Sequence, residues 1–532
     1  MIWHIFKKDL RLLWKFALAV AILPFAHAAV RFRIGHEFAE GDVYPALLLL
    51  FEIMLYFGAA TLTATLVHLD GLVSVRQDWL VRPIRRRDLL AAKLLFLALA
   101  VQLPLFLANL AGGLAAGSSL SVVFSAAFTE NLYFLFGFAL PILAFASLTR
   151  NMTEALGGAF VFFIAVVGLE VLFIPLNGGA ALGPTTGTGI AWIPQSERMI
   201  VYTVAAAAIL ALQYLRRAAP TSRAVLGAAA ALCLLTQILP WRYAFGFETA
   251  LSGAAPAARS IAIRFDPAAG KYQSPVPDDP AQPRLQMGAS GLRRTDYVAP
   301  IYLPIRIAGL GAGSLLKIDR ASVHLVNPGG KTGQTLSPGT DPLDFSVSGE
   351  TADGSAPLPY FEPLRISSTV LERIKNTPVA IRIDYSATLL KLVSTNVFSP
   401  YDADRRIPHI GWCQTRLNDS RTTVQLRCLS VGNPPQCLTA LLEDPATGVH
   451  NPAIQGCLND YSPYFGRYKP SDPIMVGGAN LRFRDEAGLL HYPVGASQLG
   501  NAQVVLRSYA VVGHFSRSLV IPSIRLADWA AD

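Results

Sequence analysis

Seven apolar runs in the first 240 residues constrain this chain more than any other feature: Leu12 to Val30, Tyr44 to Val67, Leu94 to Ala116, Val122 to Leu148, Ala155 to Leu176, Ile200 to Leu215 and Ala224 to Pro240. Most reach the roughly 17–25 residues that a helix needs to cross the hydrocarbon core of a bilayer. Ile200 to Leu215 is short and spans only if Glu197 to Met199 and the flanking Arg216 and Arg217 carry their charges out to the interface. A spanning segment must satisfy its backbone internally, so these runs predict an α-helical polytopic membrane domain over residues 12–242. The chain carries a net charge of +9, but its cations lie mostly in short connections and form no basic-aromatic array. Lipid headgroups are therefore the expected partner of that charge, and no nucleic acid is expected.

The same cations set the orientation. With the N-terminus inside, the inner segments hold Lys7, Lys8, Arg11, Lys15, the whole loop from Val73 to Lys93, Arg150, Arg216, Arg217 and Arg223. The outer short connections hold only Arg31, Arg33 and Arg198. Such asymmetry predicts a cytoplasmic N-terminus, seven spans and an extracytoplasmic C-terminal half. Residues 1–11 alternate Ile2, Trp3, Phe6 and Leu10 with His4, Lys7, Lys8 and Arg11, the pattern of an amphipathic helix lying in the interface. Ala26-His27-Ala28 resembles a signal-peptide cleavage site, but the long basic segment before it and the spans after it favour a retained anchor.

The inner loop from Val73 to Lys93 carries Arg76, Arg82, Arg85, Arg86, Arg87 and Lys93 against Asp78 and Asp88. Arg76, Gln77, Asp78 and Trp79 can open a short helix, which Arg82-Pro83 should interrupt before the next span starts near Arg85. A short helix on a cytoplasmic membrane face is a surface for a soluble partner, although positive-inside anchoring alone also explains the charge. Within the apolar runs, Glu52, Glu130 and Glu170 lie toward the outer end. Ionisable groups at such depth face a partner or a cavity, so structural pairing and a place on a transport path both remain open.

From about residue 243 the sequence turns to short alternating stretches between Pro/Gly turns: Ser260 to Phe265, Ile301 to Ile307, Ser322 to Val326, Val379 to Tyr385, Thr422 to Leu429 and Gln503 to Val512. Period-two alternation of this kind predicts an all-β, sandwich-like domain over 243–532, with a subdomain boundary near residue 400. Cys413, Cys428, Cys437 and Cys457 cluster within it, whereas Cys233 lies in an apolar run. An even cluster in an oxidising compartment suggests disulfides, and among three connectivities the neighbour pairing Cys413–Cys428 and Cys437–Cys457 is expected. Zinc is the competing reading, but no Cys-x2-Cys pair is present. Gly330-Lys331-Thr332 lacks the glycine that a phosphate-binding loop needs five residues earlier, where Leu325 stands. No zinc-protease, nucleophile-elbow or paired-carboxylate motif appears, so no enzyme activity, metal or resident cofactor is expected in this chain.

Three stretches carry a resemblance to a known family: Ile5-Phe6-Lys7-Lys8-Asp9-Leu10-Arg11-Leu12-Leu13, Asp78-Trp79-Leu80-Val81-Arg82-Pro83-Ile84 and Leu89-Leu90-Ala91-Ala92-Lys93-Leu94-Leu95. Over about residues 1–217 their order resembles the membrane subunits of type 2 ABC exporters, the ABC-2 permease family. The resemblance implies that residues 1–11 are the interfacial connecting helix and that the 73–93 loop is the coupling helix that touches an ATPase subunit. It implies a cytoplasmic ABC ATPase that supplies ATP and magnesium, and a homodimer or a heterodimer with a sibling permease. The long connection Asn177 to Arg198 looks like the family's external re-entrant segment. A bacterial cytoplasmic (inner) membrane is the expected location. A seventh span and a large external domain depart from the minimal six-helix pattern of that family. Two rival readings stand beside the transporter: a non-transporting anchor or sensor that displays the β-domain, and a membrane enzyme acting on lipid-linked sugars.

Overall fold

The computed structural model describes residues 1–36, 43–70, 85–117, 119–173, 192–237, 241–252, 256–271, 301–326, 332–337, 345–348, 360–364, 368–401, 404–408, 410–417, 424–431, 437–445, 449–450, 474–481 and 502–529. Among them, five helices are long and apolar enough to cross a membrane: Ile2–Val30, Ala46–His68, Arg86–Ala115, Leu120–Ala146 and Met199–Arg216. The fifth and seventh apolar runs are helical over Met152–Phe173 (α7) and Ala219–Gln237 (α9), and each run extends into residues outside the description.

Helix α1 (Ile2–His36) is continuous, so residues 1–11 and the first apolar run form one rod instead of an interfacial helix followed by a span. The physical reason is visible in its buried side: Phe6, Leu13, Ala17 and Val20 recur at helical spacing and pack on Leu55, Ala59, Leu62 and Leu66 of α2 (Val43–His68). The N-terminal turns thus bury an apolar stripe against the bundle. Gly58 lets α1 approach, since a Cβ there would sit 3.2 Å from Val20 Cγ2.

The next two spans each contain an irregular turn. Helix α3 (Arg86–Leu97) runs through a π-turn at Ala98–Gln102 into α4 (Leu103–Ala115), and α5 (Leu120–Phe134) runs through a π-turn at Leu135–Ala139 into α6 (Leu140–Ala146). Pro104 and Pro141 stand two residues after the ends of these turns. A proline has no N–H for the carbonyl four residues back, and its ring crowds that carbonyl, so the helix widens there. Helix α8 (Trp192–Ala211) ends in a third π-turn, Leu212–Arg216, and Arg217 takes φ 58° to start α9.

After α10 (Trp241–Ser252) the chain becomes β-rich, apart from the short helix α11 (Ser368–Ile374). The strands are β1 (Ala262–Phe265), β2 (Ile301–Ala308), β3 (Ser314–Val326), β4 (Thr332–Ser337), β5 (Phe345–Ser348), β6 (Tyr360–Leu364), β7 (Val379–Phe398), β8 (Asp404–Ile407), β9 (Gly411–Leu417), β10 (Val424–Val431), β11 (Cys437–Asp444), β12 (Val449–His450), β13 (Ile474–Leu481) and β14 (Gln503–Ile524). The largest sheet runs β12-β11-β14-β7-β3-β4, with β5 on β3. Two smaller sheets, β1-β2-β6 and β13-β10-β9-β8, cover different stretches of it. The first core joins Leu303 and Ile305 to Ile381, Ile383, Tyr385, Ala387 and Phe515; the second joins Cys413, Leu426 and Leu481 to Phe398, Leu438, Val504 and Leu506.

Strands β7 and β14 therefore serve both cores. Their antiparallel register shifts between Ser508/Tyr509 and between Val511/Gly513. A bulge moves the side-chain alternation by one residue. With one extra residue on each strand, the residues facing the first core and those facing the second stay on one side of the sheet. Leu390, Leu392, Tyr509 and Val511 point to the other side and pack with Leu315 and Cys437. A second sandwich is built by residues between Phe398 and Leu506 on the far half of the same long ribbon.

Gly309, at φ 82°, closes the edge of the first sandwich, and a Cβ there would strike the Ser260 carbonyl oxygen. Gly309→Ala should destabilise this sandwich by about 1–3 kcal/mol, because it adds a left-handed side chain and a backbone clash together. A lowered thermal midpoint of the full chain in detergent, restored by reversion, is the measurement. An unchanged midpoint would show that residues 260 and 309 separate at no cost.

Candidate functional site

A sheet-on-bundle junction fixes which ends of the helices are which. Trp412 on β9 packs on Leu110, Ala116, Val123 and Ala126 around the α4–α5 turn, and the Arg406 side chain lies against Gly117. On the other side of the large sheet, α10 lays Phe245 edge-on to His514 of β14, and His514 Nε2 stands 3.3 Å from Glu248 Oε1. Nδ1 of the same imidazole is 2.8 Å from Thr388 Oγ1, which donates to Asp319 at 2.5 Å. Burial first, and Lys317 second, push this imidazole below its usual range. The β-rich half is thereby packed directly on one end of the helical bundle.

The opposite end carries the most concentrated charge in the described bundle. Lys93 sits 22 residues before Ala115, which at 1.5 Å per residue is about 33 Å, close to a full bilayer core. Its ammonium is fully buried and makes an ion pair of 2.8 Å with Asp9 Oδ2, also fully buried, and a second with Asp70. Lys8 closes the group at 2.9 Å from Asp70 and 3.4 Å from Asp9. Burial pushes the Asp70 carboxyl up, but the charges and hydrogen bonds of Lys93 and Lys8 outweigh it and hold the group below the usual carboxylate range.

Local sequence places each member. Asp9 lies on the side of α1 that Phe6 and Leu13 bury, Asp70 follows the last turn of α2, and Lys93 falls on the face of α3 shared with Leu89, Ala92 and Phe96. Tyr214, in the last π-turn of the eighth helix, packs in the same region with Ile5, Val67 and Leu89. His68 Nε2 meets Thr149 Oγ1 at 2.9 Å, and Arg86 donates to the Leu215 carbonyl at 3.1 Å. Five segments of the chain converge here.

The expected coupling residues Arg76, Gln77, Asp78, Trp79, Arg82 and Pro83 lie outside the described residues. Arg85, Arg86 and Arg87 are exposed at the start of α3, with Asp88 half-buried in its first turn, where a carboxylate complements the helix dipole. Asp70 and Lys93 bracket this loop, and their ion pair clamps its two ends together. Neither Asp9 nor Asp70 stood out in the sequence, and Lys93 counted only as one more cation. The available signal was a lone acid in a basic amphipathic start, an acid at the end of one apolar run and a lysine inside the next.

Glu52 is partly buried on α2, Glu130 is 3% exposed on α5, and Glu170 lies on α7 with its side chain outside the described residues. Cys413 and Cys428, opposite each other in the β9–β10 register, form a disulfide. Cys437 is also disulfide-bonded, and Cys457 lies outside the described residues. The connection at 177–198, expected to be external, is described only from Trp192 onward, where it is already helical. Comparison with protein-family models, with curated proteins and with solved structures finds no match.

Proposed function

We propose that this chain is a membrane permease subunit of an ATP-binding-cassette exporter of the ABC-2 type. A separate cytoplasmic ATPase, which holds the ATP and magnesium, pushes on the 73–93 loop. The supporting observation is the buried Asp9–Lys93–Asp70 network at the base of that loop. A loop that transmits force needs a stiff mounting, and here its two ends are ion-paired to each other and to α1. A displacement of the loop would move α1, α2 and α3 as a unit, instead of bending the loop alone.

In this reading the chain sits in a bacterial cytoplasmic membrane with seven spans, its N-terminus inside and its β-rich half outside. It works as a homodimer or with a sibling permease. The test is affinity purification of the full chain in mild detergent. A co-eluting subunit with an ATP-binding cassette supports the proposal, and repeated recovery without any ATPase removes it.

The direct packing of Trp412 against the α4–α5 turn favours a second reading, a non-transporting anchor or sensor whose β-rich half reports helix movement. Flux across reconstituted vesicles separates the two, since only the exporter moves cargo when ATP is supplied.

A further inference from the structure

Helix α10 carries large apolar side chains on two sides. Phe245 is buried against His514, and Glu248, one turn further on, faces the same residue of the large sheet. Tyr243, Phe247 and Leu251 stand on the far side at steps of four residues, 69%, 54% and 60% exposed, with Ala250 exposed among them. A step of four residues advances round a helix by only about 40°, so these side chains form one stripe. The stripe runs almost the whole length of α10 and contains no charged residue. Single exposed hydrophobes are ordinary, but a continuous stripe of them marks a surface that something apolar covers.

The path of the chain indicates what covers it. Arg86 donates to the Leu215 carbonyl, so α8 finishes at the Lys93 end of the bundle, and Val225 and Leu226 of α9 pack with Tyr214 there. Helix α9 therefore starts at that end. Its 19 residues carry the chain about 28 Å, so Gln237 arrives at the end on which Trp412 packs. The apolar run that contains most of α9 stops at Pro240, and α10 begins at the next residue, Trp241. Four residue steps from Gln237 to Trp241 reach at most about 14 Å, so α10 starts at the bilayer surface. We infer that α10 lies in the interface of the outer leaflet, with its Tyr243–Phe247–Leu251 stripe in the lipid and its Phe245–Glu248 side on the sheet. The inference rests on the membrane topology proposed above, but on neither an ATPase nor a cargo. A tyrosine ring suits the headgroup boundary, and phenylalanine and leucine suit the layer about 5–10 Å below it. Because the stripe is uncharged, a neutral leaflet is a sufficient partner. One helix then fixes the height of the β-rich half above the bilayer, and movement of α9 reaches β14 through it.

The experiment uses the full chain in vesicles of phosphatidylcholine alone, with bimane on an introduced cysteine and the signal of the parent protein subtracted. Labels at Tyr243→Cys, Phe247→Cys and Leu251→Cys are read against lipids that carry a nitroxide either close to the headgroup or close to the chain end. Phe57→Cys, exposed near the middle of the Ala46–His68 span, is the reference. All these positions are exposed, so each variant should keep the wild-type thermal midpoint; Ala250→Cys, on the same stripe, repeats the test with a smaller change in size. The deep nitroxide should quench more than the shallow one at Phe57, and the order should reverse at every α10 position. Labels on α10 that escape quenching while Phe57 is quenched would overturn the inference and leave the membrane topology standing, as for a stripe that faces water or a second copy of this chain. Deep quenching on α10 as strong as at Phe57 would overturn it too, since the helix would then lie within the hydrocarbon core. If Phe57 also escapes both nitroxides, the membrane topology fails and this inference fails with it.

Discussion

Replacing Lys93 with methionine should destabilise the helical bundle by about 3–5 kcal/mol, the cost of stranding buried partners of a removed charge. Methionine preserves most of the volume, so packing changes little. What changes is that Asp9, fully buried, and Asp70 lose their shared cation, leaving the largely exposed Lys8 as the nearest compensation. Lys8 cannot replace it, because exposed ion pairs contribute only about 0–1 kcal/mol. The loss should appear as a lower thermal midpoint in detergent and less folded protein in the membrane. Adding Asp9→Asn and Asp70→Asn to Lys93→Met should recover most of the loss, because the stranded charges disappear with their partner. If the triple variant were as unstable as Lys93→Met alone, the damage would come from packing and not from charge. Acid should mimic part of the effect. Asp70 is depressed in the fold, so its contribution is complete at neutral pH and declines only as pH falls below the usual carboxylate range.

The second large effect concerns the far sandwich. The Cys413–Cys428 bond joins β9 to β10 across a separation of 15 residues, a loop whose closure is worth about 3 kcal/mol in the chain-entropy view. Both sulfurs are buried in the second core beside Leu426 and Leu481. Converting both cysteines to alanine should therefore loosen β8, β9, β10 and β13 while leaving β1, β2 and β6 protected. Hydrogen exchange on the full chain reads this difference strand by strand. Uniformly faster exchange across both sandwiches would mean that the long strands β7 and β14 melt as one unit with everything they carry.

Much of this architecture can be read from residue order. The apolar runs from Tyr44, Leu94, Val122 and Ile200 all became helices, the structure in which one continuous apolar segment satisfies its own backbone. The alternation in Val379 to Tyr385 and in Gln503 to Val512 marked two strands correctly, yet gave no hint that they extend to 20 and 22 residues. Alternation fails after Leu389, where Leu390 is also buried and the bulges shift the period, and a two-residue pattern cannot follow a strand across that shift.

The candidate site was less legible. Asp9, Asp70 and Lys93 are far apart in sequence and look like unrelated single charges, and only the packing of α1, α2 and α3 brings them within ion-pair distance. Gln102, buried at the end of the Ala98–Gln102 π-turn, was passed over for a simpler reason. A neutral amide adds no charge to mark an apolar run, and only the packing shows that Gln102 has no hydrogen-bond partner among the described residues.

The most direct test of the coupling proposal is the double charge reversal Arg76→Glu with Arg82→Glu, read as co-elution of an ATPase with the affinity-purified full chain. Neither substitution removes Asp9, Asp70 or Lys93, so the variant should fold and keep the wild-type thermal midpoint. The account predicts that the ATPase elutes with the wild type and is lost from the double variant. An ATPase that elutes equally with both would contradict it.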